Sequence, residues 1–520
     1  MTSSLLSRFR QEKERLTTIF LAVFALGLIA HGYGLLNFTI NHDSMNEFWI
    51  CQEMGYYSGT AAQWKIALGR FVAPLYQFLF RGQTVAPWFG GMLALFWTAL
   101  AVWGVACLFD IRQRWLLIFT CGIFTVNLSF VALAASFLHD LDSYLFAALA
   151  AVAGSLCWRR GGWRQLLAIP LLVIVLGIYQ SMISVYISLV IFASMLALAD
   201  KADAKTVFLD GLRAIGLMAA AGVLYLVFFK IACALSGVAP TQQENGLAVM
   251  LDDSVSIPSL LLATITSWLE LFVTQAPRIN TLFNALMFLA ALPLLWSQFK
   301  PLSKGNKVLF VILLLLLPFG MNISAFLSNG RVHLLMFYAA WLMYLLLLLL
   351  CRRSGKPGVT LFCCLMIGLV LFSSARFANQ LYVRKDQERQ ATLSLMTRVC
   401  DRIEQIPGYV PGQSEVAILG TPDFQMRPEY ADTYEIVGSI FTSPITTEDF
   451  YASYFSVVLQ SPIRLCDAQR REALAQQAAD LPAFPAQDCV AWIDGTLVLK
   501  LSSTQQPTDQ FKTMGGAAGS

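Results

Sequence analysis

Apolar stretches of roughly 18 or more residues recur along the first three quarters of this 520-residue chain, and that length fixes what it can become. A helix of that length crosses about 30 Å of hydrocarbon with every backbone group satisfied internally. No barrel-type alternation competes with this reading. Composition agrees, since 57% of residues are hydrophobic and only 13% charged, about half the charged share of an ordinary soluble domain. The expected fold class is an all-α polytopic membrane protein with about eleven transmembrane helices, followed by a small C-terminal α/β domain.

The first run, Leu16 to Leu36, is too long for the apolar part of a signal peptide and reads as a retained anchor. Its basic leader, with Arg8, Arg10, Lys13 and Arg15, belongs in the cytoplasm by the positive-inside rule. Further spans are expected near 86–109, 115–137, 144–158, 165–181, 182–199, 207–235, 281–299, 307–327, 333–351 and 358–375. Basic residues fall on alternate connections: Arg112/Arg114, Arg159/Arg160/Arg164, Lys201/Lys205, Lys300/Lys304/Lys307 and Arg352/Arg353/Lys356. The opposite connections, 37–85, 138–143, the turn near Tyr179 to Ser184, 236–280 and 328–332, are therefore external and hold nearly all the membrane-proximal His, Asp and Glu. Within them, "WKIALGRFVAPLYQFLF" reads as a short interfacial helix broken by Pro74. "SLLLATITSWLELFVTQ" reads as interfacial or re-entrant, because a full crossing would put Lys300, Lys304 and Lys307 outside.

Three domains are expected: a transmembrane unit over 1–375, an external α/β domain over 376–510 and a disordered tail over 511–520. Helix spacing of Thr392, Leu395, Met396, Val399, Ile403 and Ile406 predicts a long helix leaving the membrane. "EVAILG" predicts a strand, "REALAQQAADL" a helix, and "VAWIDGTLVLKL" a hairpin turning at Asp494-Gly495. The eleven cysteines lack metal spacing; Cys466 and Cys489, in the polar region, are candidates for a disulfide. No basic cluster resembles a nucleic-acid surface, and neither a phosphate loop, a nucleophile elbow nor a zinc pattern occurs.

Four external features can carry chemistry. His42-Asp43-Ser44 with Glu47 follows the first span, where Phe48, Trp49, Tyr56 and Tyr57 can shield a carboxylate and raise its proton affinity toward that of a general base; the plainer alternative is a set of wetted interfacial residues. His139, Asp140 and Asp142 emerge at the outer end of the third span, where an acidic residue is costly without a partner; Asp142 is expected to cap the next helix. Two such acidic sites can hold a divalent cation, though neither spacing demands one. Arg70, Arg331 and His333 lie outside against the charge bias, and they either snorkel or receive a phosphate; Lys230 has the same two readings. Gln180, in a tight reversal, either satisfies the turn backbone or meets a sugar hydroxyl.

Taken in order, "HDS", "ALGRFVAPLYQFLF", "HDLDSYLFAALAA", "GIYQS", "GRVHLLMF" and "RFANQLYVRKDQERQ" before "VAILG" resemble the bacterial Gtr-type glucosyltransferases, the glucosyl transferase II family within the membrane glycosyltransferases of GT-C fold. The resemblance implies inverting transfer of glucose or a related hexose from a polyprenyl-phosphate donor to a periplasmic surface glycan such as lipopolysaccharide O-antigen. It also implies a multi-pass protein of the bacterial inner membrane, with the active site and C-terminal domain periplasmic. It carries the base onto Asp43, with Glu47 as the alternative, and an acceptor-orienting role onto Asp140. Arg331, joined by Arg70 and His333, would face the donor phosphate, and His42, Tyr56, His139 and Gln180 would meet sugars. No cofactor is expected, and a divalent cation is left open. Two rivals stand: an O-antigen polymerase or ligase, relying on external Arg and His, and a lipid-linked sugar flippase, for which polar groups would mark a path through the bundle.

Overall fold

A computed structural model describes residues 2–37, 60–82, 86–241, 256–328, 332–420, 428–437, 447–502 and 513–514. Helices dominate. In chain order they are α1 (Thr2–Leu36), α2 (Thr60–Ala67), α3 (Val72–Phe80), α4 (Pro87–Leu108), α5 (Arg114–Thr125), α6 (Leu128–Ser136), α7 (Leu141–Arg160), α8 (Ala168–Ile178), α9 (Ile183–Ala199), α10 (Ala204–Ser236), α11 (Ile257–Val273), α12 (Ile279–Phe299), α13 (Lys304–Met321), α14 (Ser324–Leu327), α15 (Leu342–Ser354) and α16 (Pro357–Glu404). Among the described residues, ten helical segments are long and apolar enough to cross a membrane, and the 17-residue segments 162–178 and 257–273 are shorter apolar helices. The expected eleven crossings correspond to those ten with segment 162–178 added.

The contacts sort the connections onto two ends of the bundle. At one end Arg353 reaches Asp200 at 2.6 Å, Arg352 donates to the carbonyls of Phe109 and Asp110, and Asn306 donates to the Ala202 carbonyl. The basic linkers thus meet one another, as their alternation predicts. At the other end the 60–82 helices pack against the 137–144 turn and α10. Asn322, which ends α13 on this second side, donates to the Thr264 carbonyl and Ser267 hydroxyl of α11, whereas Phe272 packs on Phe288, Trp341 and Tyr344. The middle of α11 therefore sits level with the end of α13, and its last turn reaches Phe288 and Tyr344 of the bundle.

One unbroken 48-residue helix, α16, joins the bundle to the C-terminal domain. Its Met396, Val399, Cys400 and Ile403 enter the core of a four-stranded sheet. That sheet contains β2 (Glu415–Leu419), β3 (Arg464–Leu465), β4 (Val490–Ile493) and β5 (Thr496–Lys500), in the order β3-β2-β5-β4. Strand alternation divides its faces: Val416 and Ile418 pack into the core shared with α16, and Ala417 and Leu419 into a second core under the helix Ala468–Gln477. Asp494 and Gly495 take positive φ at the expected hairpin turn. Cys489 belongs to the first core and Cys466 to the second, and both are free thiols. The two sheet faces hold them apart, so the disulfide suggested by sequence does not form. From the 511–520 tail only Thr513–Met514 is described, as a strand pairing antiparallel with β1 (Val332–His333).

Candidate functional site

Segment 60–82 folds as two helices because the chain reverses at Leu68–Phe71. Gly69 there has φ of +82°, a left-handed conformation suited to glycine, and an added Cβ would overlap the Tyr225 hydroxyl. The break expected at Pro74 lies instead at Gly69. Pro74 sits in the first turn of α3, where a helix has no intrahelical use for the missing N–H. Leu75, Phe78 and Leu79 project outward, more than half exposed, while Gln77 is fully buried. This inside-out polarity suits a helix lying against lipid.

The buried side of these helices builds a polar cluster on the 137–144 turn. Lys65 Nζ donates to Asp140 Oδ1 at 2.9 Å and to Gln77 Oε1 at 3.2 Å, and Gln77 Nε2 donates to the same Asp140 oxygen. The other oxygen, Oδ2, accepts from the Tyr144 hydroxyl at 3.4 Å and lies 3.6 Å from His139 Nε2. Arg70 Nη1 donates to that hydroxyl at 3.0 Å, and its guanidinium stands 5.2 Å from the Tyr179 ring centroid. Arg81 donates to the His139 carbonyl and approaches Asp142 at 3.7 Å. Lys65, His139, Asp140 and Asp142 are all at most 5% exposed.

Burial pushes the Asp140 pKa up, but the charges of Lys65, His139 and Arg81 outweigh it and hold the carboxyl well below the usual carboxylate range. A carboxylate with both oxygens engaged and a lowered pKa is a poor proton acceptor. Its geometry suits positioning: it fastens the first connection to the third. Asp142 does not cap α7. The N-cap position belongs to Asp140, which makes no side-chain cap bond, and Asp142 lies within the first turn with its carboxylate toward Arg81 and the positive end of the helix.

Gln180 uses its amide N–H on the Leu68 carbonyl at 3.1 Å and the Tyr225 hydroxyl at 3.3 Å, while Tyr225 donates to the Gly69 carbonyl. It therefore serves the 68–71 turn. His333 ends β1, and the next residue's carbonyl accepts from Ser129 of α6, which leads into the 137–144 turn. Lys230 is exposed on α10. His42, Asp43, Glu47, Tyr56 and Arg331 lie outside the described residues. The structure thus brings together Arg70, His139 and Asp140 and sets Gln180 beside them through the shared turn.

Sequence reasoning passed over Lys65, Gln77, Arg81 and Tyr144. A signal existed: Lys65 interrupts an apolar stretch, and Gln77 and Arg81 stand four residues apart, so they share one face of α3 and the turn after it. Among the described residues, no group of three or more His, Cys, Asp or Glu is placed to hold a metal ion. A family model described as "Glucosyl transferase GtrII" matches residues 32–373, from the last turn of α1 through the membrane part of α16. No curated protein and no solved structure matches the chain.

Proposed function

The chain belongs to the GtrII glucosyl transferase family, and from that premise we propose that it transfers glucose or a related hexose, with inversion, from a polyprenyl-phosphate donor to a surface glycan such as lipopolysaccharide O-antigen. The site lies on the periplasmic face of the bacterial inner membrane, at the bundle end away from the basic linkers. One observation carries this reading: the described residues on either side of the acidic segment 38–59 are fastened at that end. Before it, Tyr33 donates to Asp386 at 3.0 Å; after it, Lys65 pairs with Asp140 at 2.9 Å. A carboxylate between two such anchors can be held against a substrate with less freedom to lose.

In the reaction, Asp43 takes the proton of an acceptor hydroxyl as that oxygen attacks the anomeric carbon. The bond from this carbon to the phosphate oxygen breaks on the opposite face, and its electron pair stays on the departing polyprenyl phosphate. Arg331, with Arg70 and His333, supports the developing phosphate charge. Glu47 is the alternative base. His42, Tyr56 and His139 flank the sugars, and Asp140 orients the acceptor side through its hold on the loop helices.

The test supplies the purified protein with polyprenyl-phosphate glucose and lipopolysaccharide and reads added hexose by mass. Wild type is expected to transfer, and Asp43→Asn to lose transfer while keeping its melting temperature. Unchanged turnover in Asp43→Asn would remove the base from that position. If wild type ignored every phosphate-linked hexose yet used a diphosphate-linked glycan, the ligase reading would replace this one.

A further inference from the structure

The basic end of the bundle, opposite the cluster around Asp140, contains a cavity that the proposed reaction does not use. It measures about 120 Å³ and lies between α1 and α5, space for several water molecules or one phosphate group. Glu14 and Arg15 belong to its α1 wall, and Arg112, Arg114 and Leu117 close it from the start of α5. Arg15 directly precedes the apolar run to Leu36, and Arg114 begins the membrane-length segment Arg114–Ser136. The cavity therefore sits at the boundary of the hydrocarbon, where the phosphates of a leaflet lie.

Three features make it receptive to an anion. The N-cap of α5, Gln113, supplies no side-chain cap, so the N–H groups of the first turn are left for an acceptor outside the helix. Arg15 is only 8% exposed; it spends Nη1 on Glu12 at 3.1 Å and Nη2 on Cys107 Sγ at 2.7 Å, while its buried Nε has no partner among the described residues. Net charge is the third. Residues 8–15 and 110–114 hold six basic side chains against Glu12, Glu14 and Asp110, which leaves three cations even when each carboxylate takes one. Glu12 is matched by Arg15, and Asp110 by Arg112 at 2.8 Å. Residues 1–10 add no acidic side chain. Arg114, exposed at the cavity wall, makes no hydrogen bond or ion pair to any described residue.

We propose that this cavity binds the phosphate of an anionic phospholipid from the leaflet at the basic end. Arg15 and Arg114 supply charge-assisted donors, and α5 adds its free N–H groups and the positive end of its dipole. The surroundings select a lipid over a soluble phosphate. Leu21, two turns beyond Glu14 on one face of α1, and Ile118, one turn beyond Arg114 on α5, are both exposed on the hydrocarbon side of the cavity, where acyl chains would lie. Basic pockets between membrane helices on the cytoplasmic side are suited to such headgroups. This lipid site is independent of the donor and acceptor proposed above, and its occupant would bridge α1 and α5.

The experiment uses full-length protein in an uncharged detergent, as wild type, Arg114→Gln and Arg164→Gln. Arg164 is an exposed arginine of the basic linkers that lines no part of the cavity, so its variant measures the effect of losing surface charge alone. Phosphatidylglycerol, phosphatidylcholine and inorganic phosphate are the probes, with binding read by titration and stabilisation by thermal unfolding. Phosphatidylglycerol should bind wild type and Arg164→Gln alike and raise their melting temperatures, whereas Arg114→Gln should bind it about tenfold more weakly. Phosphatidylcholine should stabilise wild type less and should not distinguish the variants. Equal phosphatidylglycerol affinity in wild type and Arg114→Gln would overturn the site. An equal loss in both variants would do the same, since it would mark diffuse surface charge. Stabilisation by inorganic phosphate that depends on Arg114, with phosphatidylglycerol adding none, would overturn the lipid as its occupant.

Discussion

Lys65 and Asp140 show how much a single buried pair can decide. Their side chains are 6% and 3% exposed and 2.9 Å apart, and each has additional polar neighbours. Removing one partner strands the other, so Lys65→Met or Asp140→Leu alone is expected to cost about 3–5 kcal/mol, seen as a lower melting temperature and reduced transfer. The double replacement removes both charges together and should recover most of that loss, because an apolar pair of similar volume is often as stable as the ion pair. A double variant no more stable than the worse single one would show that Gln77 and Tyr144, not the pair, hold the cluster. The pH dependence follows from the lowered Asp140 pKa. A carboxyl whose folded pKa lies below its unfolded value, about 4, gives its full stabilisation above that unfolded value and loses it as pH falls through the folded one. The carboxyl's own share of the melting difference between wild type and Asp140→Asn should therefore be lost only below about pH 4. An acid limb of activity near neutral pH would belong to another group.

Among elements, the 60–82 hairpin of helices is where local sequence signals and the fold part company. Its turn is fixed from outside, by Gln180 on the Leu68 carbonyl and Tyr225 on the Gly69 carbonyl. Gly69→Ala would combine a left-handed backbone with an overlap on the Tyr225 hydroxyl, at a cost of roughly 1–3 kcal/mol. Transfer should fall with it, because the same turn aims Lys65 and Arg70 at the 137–144 segment. Pairing Gly69→Ala with Tyr225→Phe removes the oxygen in conflict and should restore part of the loss in a thermal melt. The spans, α16 and the sheet could be read directly, because apolar length and strand alternation are local properties of the chain. The cluster could not. Gln77 in an apolar helix gives no sign of which way it points until Lys65 and Asp140 are brought beside it, and Asp142 looks like a cap until Arg81 arrives from far along the chain. Arg70, His139 and Asp140 were visible as candidates because charge beside an apolar run is expensive wherever it occurs; their partners were hidden because partnership is tertiary.

Over the whole molecule, charge predicts orientation, and the contacts turn that rule into a sharper test. The basic linkers share one end through Arg353 with Asp200 and Arg352 with the 109–110 carbonyls, while the cluster around Asp140 and the helix leading to the sheet share the other. Whatever the membrane does with one member of each group, it must do with all of them, since no crossing can invert without breaking these bonds. The positive-inside bias then predicts that the basic end lies in the cytoplasm. Cysteines introduced at Trp64, which is 46% exposed beside the cluster, and at Lys201, exposed among the basic linkers, report the two ends independently. In spheroplasts, an impermeant maleimide is expected to label Trp64→Cys at once and Lys201→Cys only after permeabilisation, with the unsubstituted chain as background because most native thiols are buried. Labelling of both from outside would break the two-ended packing. The reversed pattern would preserve the packing but move the cluster around Asp140 to the cytoplasm, where a periplasmic glycan could not reach it, and the proposed acceptor would fall with the orientation.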